Sequence, residues 1–238
     1  METDVVESLG LHKLLAWYYA NRKQVHWGAA LVAAAGLIIW FVVWQQEAKQ
    51  EAASEALSDV AIKQMSGPNS AAAAAEGYLK VANSYPNSTA GEQALLLAAG
   101  DLFTEGKYDQ ARTEFDRFRR EHPQSALVPE AMLGVGACWD AQGKTSEAMA
   151  AYKELIARRN AELEAPQAKF ALARLYEAQN NWEAARTLFE EVARQPYSSL
   201  GSEAGMRLEE LQMKHPSLPP APPMSTNVSP TFQIEKNK

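Results

Sequence analysis

The feature that most constrains the fold is an internal repeat of 37 residues. The segments EGKYDQARTEF (105–115), QGKTSEAMAAY (142–152) and QNNWEAARTLF (179–189) follow one another at that spacing. Each segment ends in an aromatic residue, and alanine stands four positions before it. A fixed period of this size is typical of stacked architectures, in which each unit buries its apolar face only against its neighbours. We therefore expect a row of similar units.

Each unit is predicted to hold two helices. Residues 92–105 are rich in Ala and Leu, Gly106 and Lys107 interrupt the pattern, and residues 108–121 resume it with aromatic residues on one face. Proline at 129 and again at 166 suits the first turn of a helix, where no amide donor is needed. The predicted units within 45–198 are 52–87, 88–124, 125–161 and 162–198, followed by a capping helix at 199–214.

These spacings resemble the tetratricopeptide repeat, whose pattern runs small residue, aromatic, alanine, aromatic, alanine, proline. The resemblance implies an all-α solenoid of about four helical hairpins plus the cap, and protein partners for its inner face. The sequence departs from the family at Leu102, which replaces the first aromatic, and in a period longer than roughly 34 residues. The matches are Ala99, Leu102, Ala111, Phe115, Phe118 and Pro123; Gly136, Trp139, Ala148, Tyr152 and Leu155; Ala173, Tyr176, Ala185, Phe189 and Val192.

In the tetratricopeptide family, the first helix of each pair lines the inner groove. The resemblance therefore implies an apolar strip flanked by charged residues, suited to an extended or helical segment of another protein. Alternatively, the apolar members of this set pack against the neighbouring unit or the cap. The implied positions are Gln93, Leu96, Phe103, Glu130, Leu133, Asp140, Phe170, Arg174 and Glu177.

A second constraint is an apolar stretch at 25–44, which contains no Asp, Glu, Lys or Arg. At about 1.5 Å per residue, a helix of this length crosses a hydrocarbon core of about 30 Å. Trp27 lies near one end, and Trp40 and Trp44 lie towards the other, where indole rings favour the membrane interface. A buried core helix and a cleaved signal peptide are the alternatives. The length of the run and of the leader before it favours a retained transmembrane helix.

The flanking cations predict the orientation. Lys13, Arg22 and Lys23 precede the span, whereas Lys49 and Lys63 follow it among acidic residues. The positive-inside rule then places the leader, 1–24, in the cytoplasm and the repeats on the exported side. The leader either forms an amphipathic helix on the membrane surface or continues into the span.

A short leader, one span and exported repeats resemble the YfgM-type ancillary subunits of the bacterial Sec translocon. The repeat body is also similar to cell-division coordinators and outer-membrane assembly lipoproteins, which lack this anchor. The first resemblance implies an inner-membrane scaffold with periplasmic repeats that serves the translocon or periplasmic chaperones. The second implies a coordinator of envelope or division assembly, in which the stack associates with itself.

Catalysis finds little support in the sequence. No histidine pair has metal-site spacing, and no phosphate loop or nucleophile elbow occurs, so we expect no enzyme activity, metal or cofactor. Arg117, Arg119 and Arg120 form the densest basic run and are expected to complement the end of a helix. The remaining chemical alternative is a redox protein built on Cys138, which is more simply a small buried hydrophobe.

The net charge and the C-terminal composition complete the prediction. A net charge of −6 argues against attraction to nucleic acid phosphates. Six of the 12 prolines fall in 215–238, so we expect a disordered, proline-rich tail.

Overall fold

The computed structural model describes residues 3–66, 70–195 and 198–216, and within these ranges every regular element is an α-helix. The all-α repeat fold expected from the sequence is thus confirmed. The predicted proline-rich tail covers residues 215–238. Its residues from 217 onwards lie outside the described ranges. The helices are α1 (Thr3–Ser66), α2 (Ser70–Ser84), α3 (Thr89–Thr104), α4 (Tyr108–Glu121), α5 (Val128–Ala141), α6 (Thr145–Ile156), α7 (Ala165–Ala178), α8 (Trp182–Ala193) and α9 (Ser199–Lys214).

The turn inside each hairpin repeats with the same period as the sequence. Gly106, Gly143 and Asn180 occupy equivalent positions and have φ of 77°, 71° and 61°. The residue after each of them donates its amide to a carbonyl five residues back, as Lys107 does to Leu102 at 2.9 Å. This left-handed closure satisfies the carbonyls at the end of the first helix. Glycine adopts it without strain, and asparagine is the side chain that tolerates it best.

Two glycines in α5 admit aromatic rings from both neighbouring helices. A Cβ on Gly136 would lie 2.5 Å from Cε1 of Tyr152 in α6, and a Cβ on Gly134 would lie 2.4 Å from Cζ of Phe115 in α4. Both rings are buried. The absent side chains therefore let α5 approach its partner within the hairpin and the preceding unit at the same time.

The backbones of successive first helices approach one another closely, whereas those of successive second helices lie further apart. Helix α3 contacts α5, and α5 contacts α7. Within the described part of the chain, no close backbone approach joins α4 to α6 or α6 to α8, although the ion pair of Arg119 with Glu154 bridges α4 and α6 at 2.8 Å. A stack curves towards the side on which its units are closer, so the first helices form its inner face.

Helix α9 extends the inner row by one more helix and covers the last hairpin. It contacts both α7 and α8. Ala204 and Leu208 join a buried cluster with Phe170, Ala173 and Phe189. Ser198 caps the helix by accepting the amide of Gly201 at 3.2 Å. The helix thus shields the apolar face that the last hairpin would otherwise expose.

Residues 57–66 of α1 serve as the first helix of the first hairpin. Val60 fills the space beside Gly77 of α2, where a Cβ would lie 3.0 Å from Cγ1 of Val60. The hydroxyl of Tyr78 donates to Oε1 of Gln64 at 2.9 Å. The first hairpin is therefore closed by the same device as the hairpin of α5 and α6, a large side chain against a small residue.

The N-terminal part of α1 has an apolar surface that is exposed. Non-helical backbone angles at Asn21 (φ −110°, ψ 15°) divide a short leading helix from the remainder. Among the described residues, one helix, Tyr19–Met65, is long and apolar enough to cross a membrane. Several of its large apolar side chains, among them Leu31, Leu37 and Phe41, are exposed.

Replacing Gly136 by alanine should destabilise the stack. The new Cβ overlaps the ring of Tyr152, and overpacking of this kind costs about 1–3 kcal/mol. The gain in helix propensity, about 1 kcal/mol, offsets part of that cost. Gly100 of α3 is the matched control, because nothing lies within 4 Å of a Cβ placed there. Gly100→Ala should raise the urea midpoint measured by circular dichroism, and Gly136→Ala should lower it. Equal shifts in both variants would contradict the packing account.

Candidate partner-binding surface

The nine residues predicted for the groove all lie on α3, α5 and α7, but they differ in exposure. The exposed residues are Gln93, Glu130 and Arg174. Those that are half-buried are Phe103, Leu133, Asp140 and Glu177. Leu96 and Phe170 are buried, with 6% and 8% of their surfaces exposed. The inner face therefore presents seven of the nine residues to a partner.

The predicted apolar strip ends at α5. Phe103 packs on the ring of Tyr108, with centroids 5.2 Å apart. Phe170 instead meets Phe189 edge to face at 5.4 Å, inside the cluster that α9 covers. Of the predicted apolar strip, only Phe103 and Leu133 therefore keep surface that a partner can reach.

Two acidic side chains, Glu130 and Glu164, lie near one another at the start of α5. Partial burial, and then the nearby carboxylate of Glu164, raise the pKa of Glu130 above its ordinary value. Neither carboxylate forms an ion pair within the described ranges. The pair is therefore a site of unrelieved negative charge at the start of α5.

Two charged side chains of the predicted groove set, Asp140 and Arg174, act on the buried hydroxyl of Tyr152. Burial, and then the charge of Asp140, raise the pKa of the Tyr152 hydroxyl, whereas Arg174 lowers it. Asp140 of α5 and Arg174 of α7 therefore act on the same hydroxyl from adjacent units. Arg174 is the cation among the predicted groove residues and offsets a part of the negative charge there.

A hydrogen-bond chain, which sequence reasoning missed, links the first two inner helices. Tyr78 donates to Gln64, whose amide donates to Asp101 of α3 at 3.3 Å. Burial is the largest cause that raises the pKa of Asp101. Gln64 and Asp101 stand one period apart, so the repeat spacing was the signal that could have paired them.

Trp139, one of the matches to the repeat pattern, is half-buried, and two cations lie over its ring. Cζ of Arg112 lies 4.4 Å from the ring centroid and Nζ of Lys144 lies 4.6 Å from it. Such contacts contribute about 0.5–2 kcal/mol each, depending on exposure. They fix the hairpin turn against the preceding unit.

The chemistry of Cys138 favours packing. Its side chain is fully buried, and burial, the largest cause, raises the pKa of its thiol to about 12. The thiol is therefore protonated at neutral pH, which removes the nucleophilic form. Among the described residues, no three His, Cys, Asp or Glu side chains are grouped so as to hold a metal ion.

The tryptophans predicted as interface anchors are exposed on α1. Trp27, Trp40 and Trp44 have 74%, 64% and 55% of their surfaces exposed. The rings of Trp40 and Trp44 stack, with centroids 6.4 Å apart. Their spacing along one helix leaves Trp27 at one end of the apolar stretch and the stacked pair at the other.

Replacing Glu130 by glutamine should stabilise the protein at neutral pH. Because the pKa of Glu130 is raised in the folded state, its charge opposes folding as pH rises through that pKa. The midpoint of thermal unfolding should rise by about 1–2 °C at pH 7 and stay unchanged at pH 3, where the carboxyl is protonated. Glu147 is a matched control, since both are exposed acidic residues in a first helical turn. Glu147→Gln should lower the midpoint, and a rise in both variants would refute the assignment.

Comparison with known proteins agrees with the repeat geometry. A tetratricopeptide-repeat sequence family matches residues 96–162 and, again, 140–199. A search of curated proteins found no match. Among solved structures, a type III secretion complex (T3SS) from Aeromonas hydrophila is 24% identical, with a TM-score of 0.46 over 55% of this chain and 87% of that one.

A second solved structure, a putative kinesin light chain from Podosopora anserina with nearly identical TPR-like repeats, is 14% identical. Its TM-score is 0.44, and the match covers 72% of this chain and 96% of that one. The helical pairs from residue 96 to residue 199 are thus similar to tetratricopeptide repeats.

Proposed function

We propose that the protein is a membrane-anchored scaffold that holds a segment of a partner protein against the first helices of its repeats. The observation that carries this proposal is the inner row α3, α5 and α7, whose members contact one another and keep seven predicted groove residues accessible. Repeat stacks use such a curved inner surface for extended or helical segments. The role is one of binding, without enzyme activity.

The charge of the inner face indicates the class of partner. Glu130, Asp140 and Glu177 outnumber Arg174, and Glu130 lies beside Glu164. A segment with lysine or arginine near an apolar side chain would relieve that charge and use the half-buried Phe103 and Leu133. We infer that the bound segment is basic and amphipathic.

The exposed apolar surface of α1 supports the membrane anchor. Its tryptophans and aliphatic side chains suit lipid, and the cations concentrate before the span. The proposed location is the bacterial inner membrane, with the N-terminus in the cytoplasm and the repeats in the periplasm. There the scaffold would serve the Sec translocon or the chaperones that receive emerging chains.

Photo-crosslinking in intact membranes tests the groove. A crosslinking amino acid at Gln93 of α3 or Gln167 of α7 should capture a partner, because both positions are exposed on the inner helices. Gln110, exposed on the second helix α4, is the control and should capture much less. Equal capture at all three positions, or none at the first two, would refute the groove. Translocon or chaperone products support the proposed role, whereas envelope or division factors favour the alternative.

Labelling with a membrane-impermeant maleimide tests the orientation. In a Cys138→Ala background, Gln167→Cys should react in intact spheroplasts, because the repeats are proposed to be periplasmic. Glu7→Cys in the leader should react only after the membrane is permeabilised. The reverse pattern would overturn the orientation, and recovery of the whole chain in the soluble fraction would overturn the anchor.

A further inference from the structure

A cavity of about 330 Å³ opens where the second helices α4 and α6 end. It lies at the edge of the repeat stack and includes none of the predicted groove residues. Its lining combines three basic side chains, two apolar side chains and one acidic side chain: Arg119, Arg120, Arg158, Pro123, Val128 and Asp116.

The three arginines of the cavity differ in their partners. Arg119 is already engaged, with Asp116 at 3.3 Å and Glu154 at 2.8 Å. Arg120 and Arg158 are exposed, and neither forms an ion pair in the described part of the chain. The guanidinium of Arg158 meets only a weak acceptor, the sulfur of Met132, at 3.2 Å.

Complementing the helix dipole accounts for only part of this arrangement. Arg119 and Arg120 stand in the last turn of α4, where cations are favoured. Arg158, however, comes from the neighbouring unit and lies beyond the end of α6. Two unpaired guanidinium groups from different units thus line one cavity beside the apolar side chains of Val128 and Pro123.

We propose that this cavity binds an acidic side chain of a partner protein, at a second site separate from the inner groove. The planar guanidinium donates parallel hydrogen bonds that match a carboxylate. The exposed Pro123 supplies apolar contact for the methylene groups next to that carboxylate. The volume is at the small end of the range of about 300–1,000 Å³ for ligand pockets, which suits side chains better than a whole lipid.

The inner groove and this site therefore select opposite charges. The inner face gathers unpaired carboxylates, whereas the cavity gathers unpaired guanidinium groups. A partner that carries basic and acidic segments could engage both, but binding at the arginine cavity does not depend on the groove.

Fluorescence anisotropy with the full chain in detergent tests the proposal. The probe is a labelled ten-residue peptide of alternating Asp and Leu, and its Asn-for-Asp version is the ligand control. The double variant Arg120→Gln, Arg158→Gln should weaken binding of the acidic peptide at least tenfold. Arg159→Gln is the matched control, because Arg159 is exposed and adjacent but does not line the cavity. It should change affinity less than twofold.

Three results would overturn the proposal. The first is equal binding of the acidic and the Asn peptides. The second is equal binding by the unaltered chain and the double variant, with unchanged circular dichroism. The third is an arginine-dependent response to inorganic phosphate or to anionic phospholipid vesicles without one to the peptide, which would assign the cavity to phosphate chemistry. Crosslinks from Gln93 and Gln167 should persist in the double variant, so failure here leaves the groove hypothesis standing.

Discussion

The structure depends on the contact between a large ring and a residue with little or no side chain. Tyr152 lies on Gly136 within one hairpin, and Phe115 lies on Gly134 across the boundary between two units. Both glycines lie on α5, so the same helix forms the packing inside one unit and the packing against the preceding unit. This explains why a chain without a large central core can still bury its aromatic residues continuously.

The hairpins could be predicted from the sequence because their determinants recur with the period. The left-handed turn falls at Gly106, Gly143 and Asn180, and each position is visible as a break in the helical pattern. The groove could be predicted only in part. A position rule placed Phe170 on the inner face, but it could not show that Phe189 and α9 would cover that ring.

The arginine cavity lay beyond sequence reasoning for a different reason. Arg119 and Arg120 formed a visible run, and the end of a helix was a sufficient explanation for them. Arg158 belongs to the next unit and does not occupy an equivalent position in the repeat. Only the stacking of α4 against the start of α5, beside the end of α6, brings the three guanidinium groups around one cavity.

The uneven contacts between units have a mechanical consequence. The inner helices pack closely in sequence, whereas over the described residues the outer helices lie further apart and meet only through long side chains, such as Arg119 of α4 and Glu154 of α6. A small rotation about each inner contact therefore changes the spacing on the outside without parting the buried rings. Summed over several units, such rotations would let the repeat stack bend elastically. The width of its inner face would then adjust to the thickness of a bound segment.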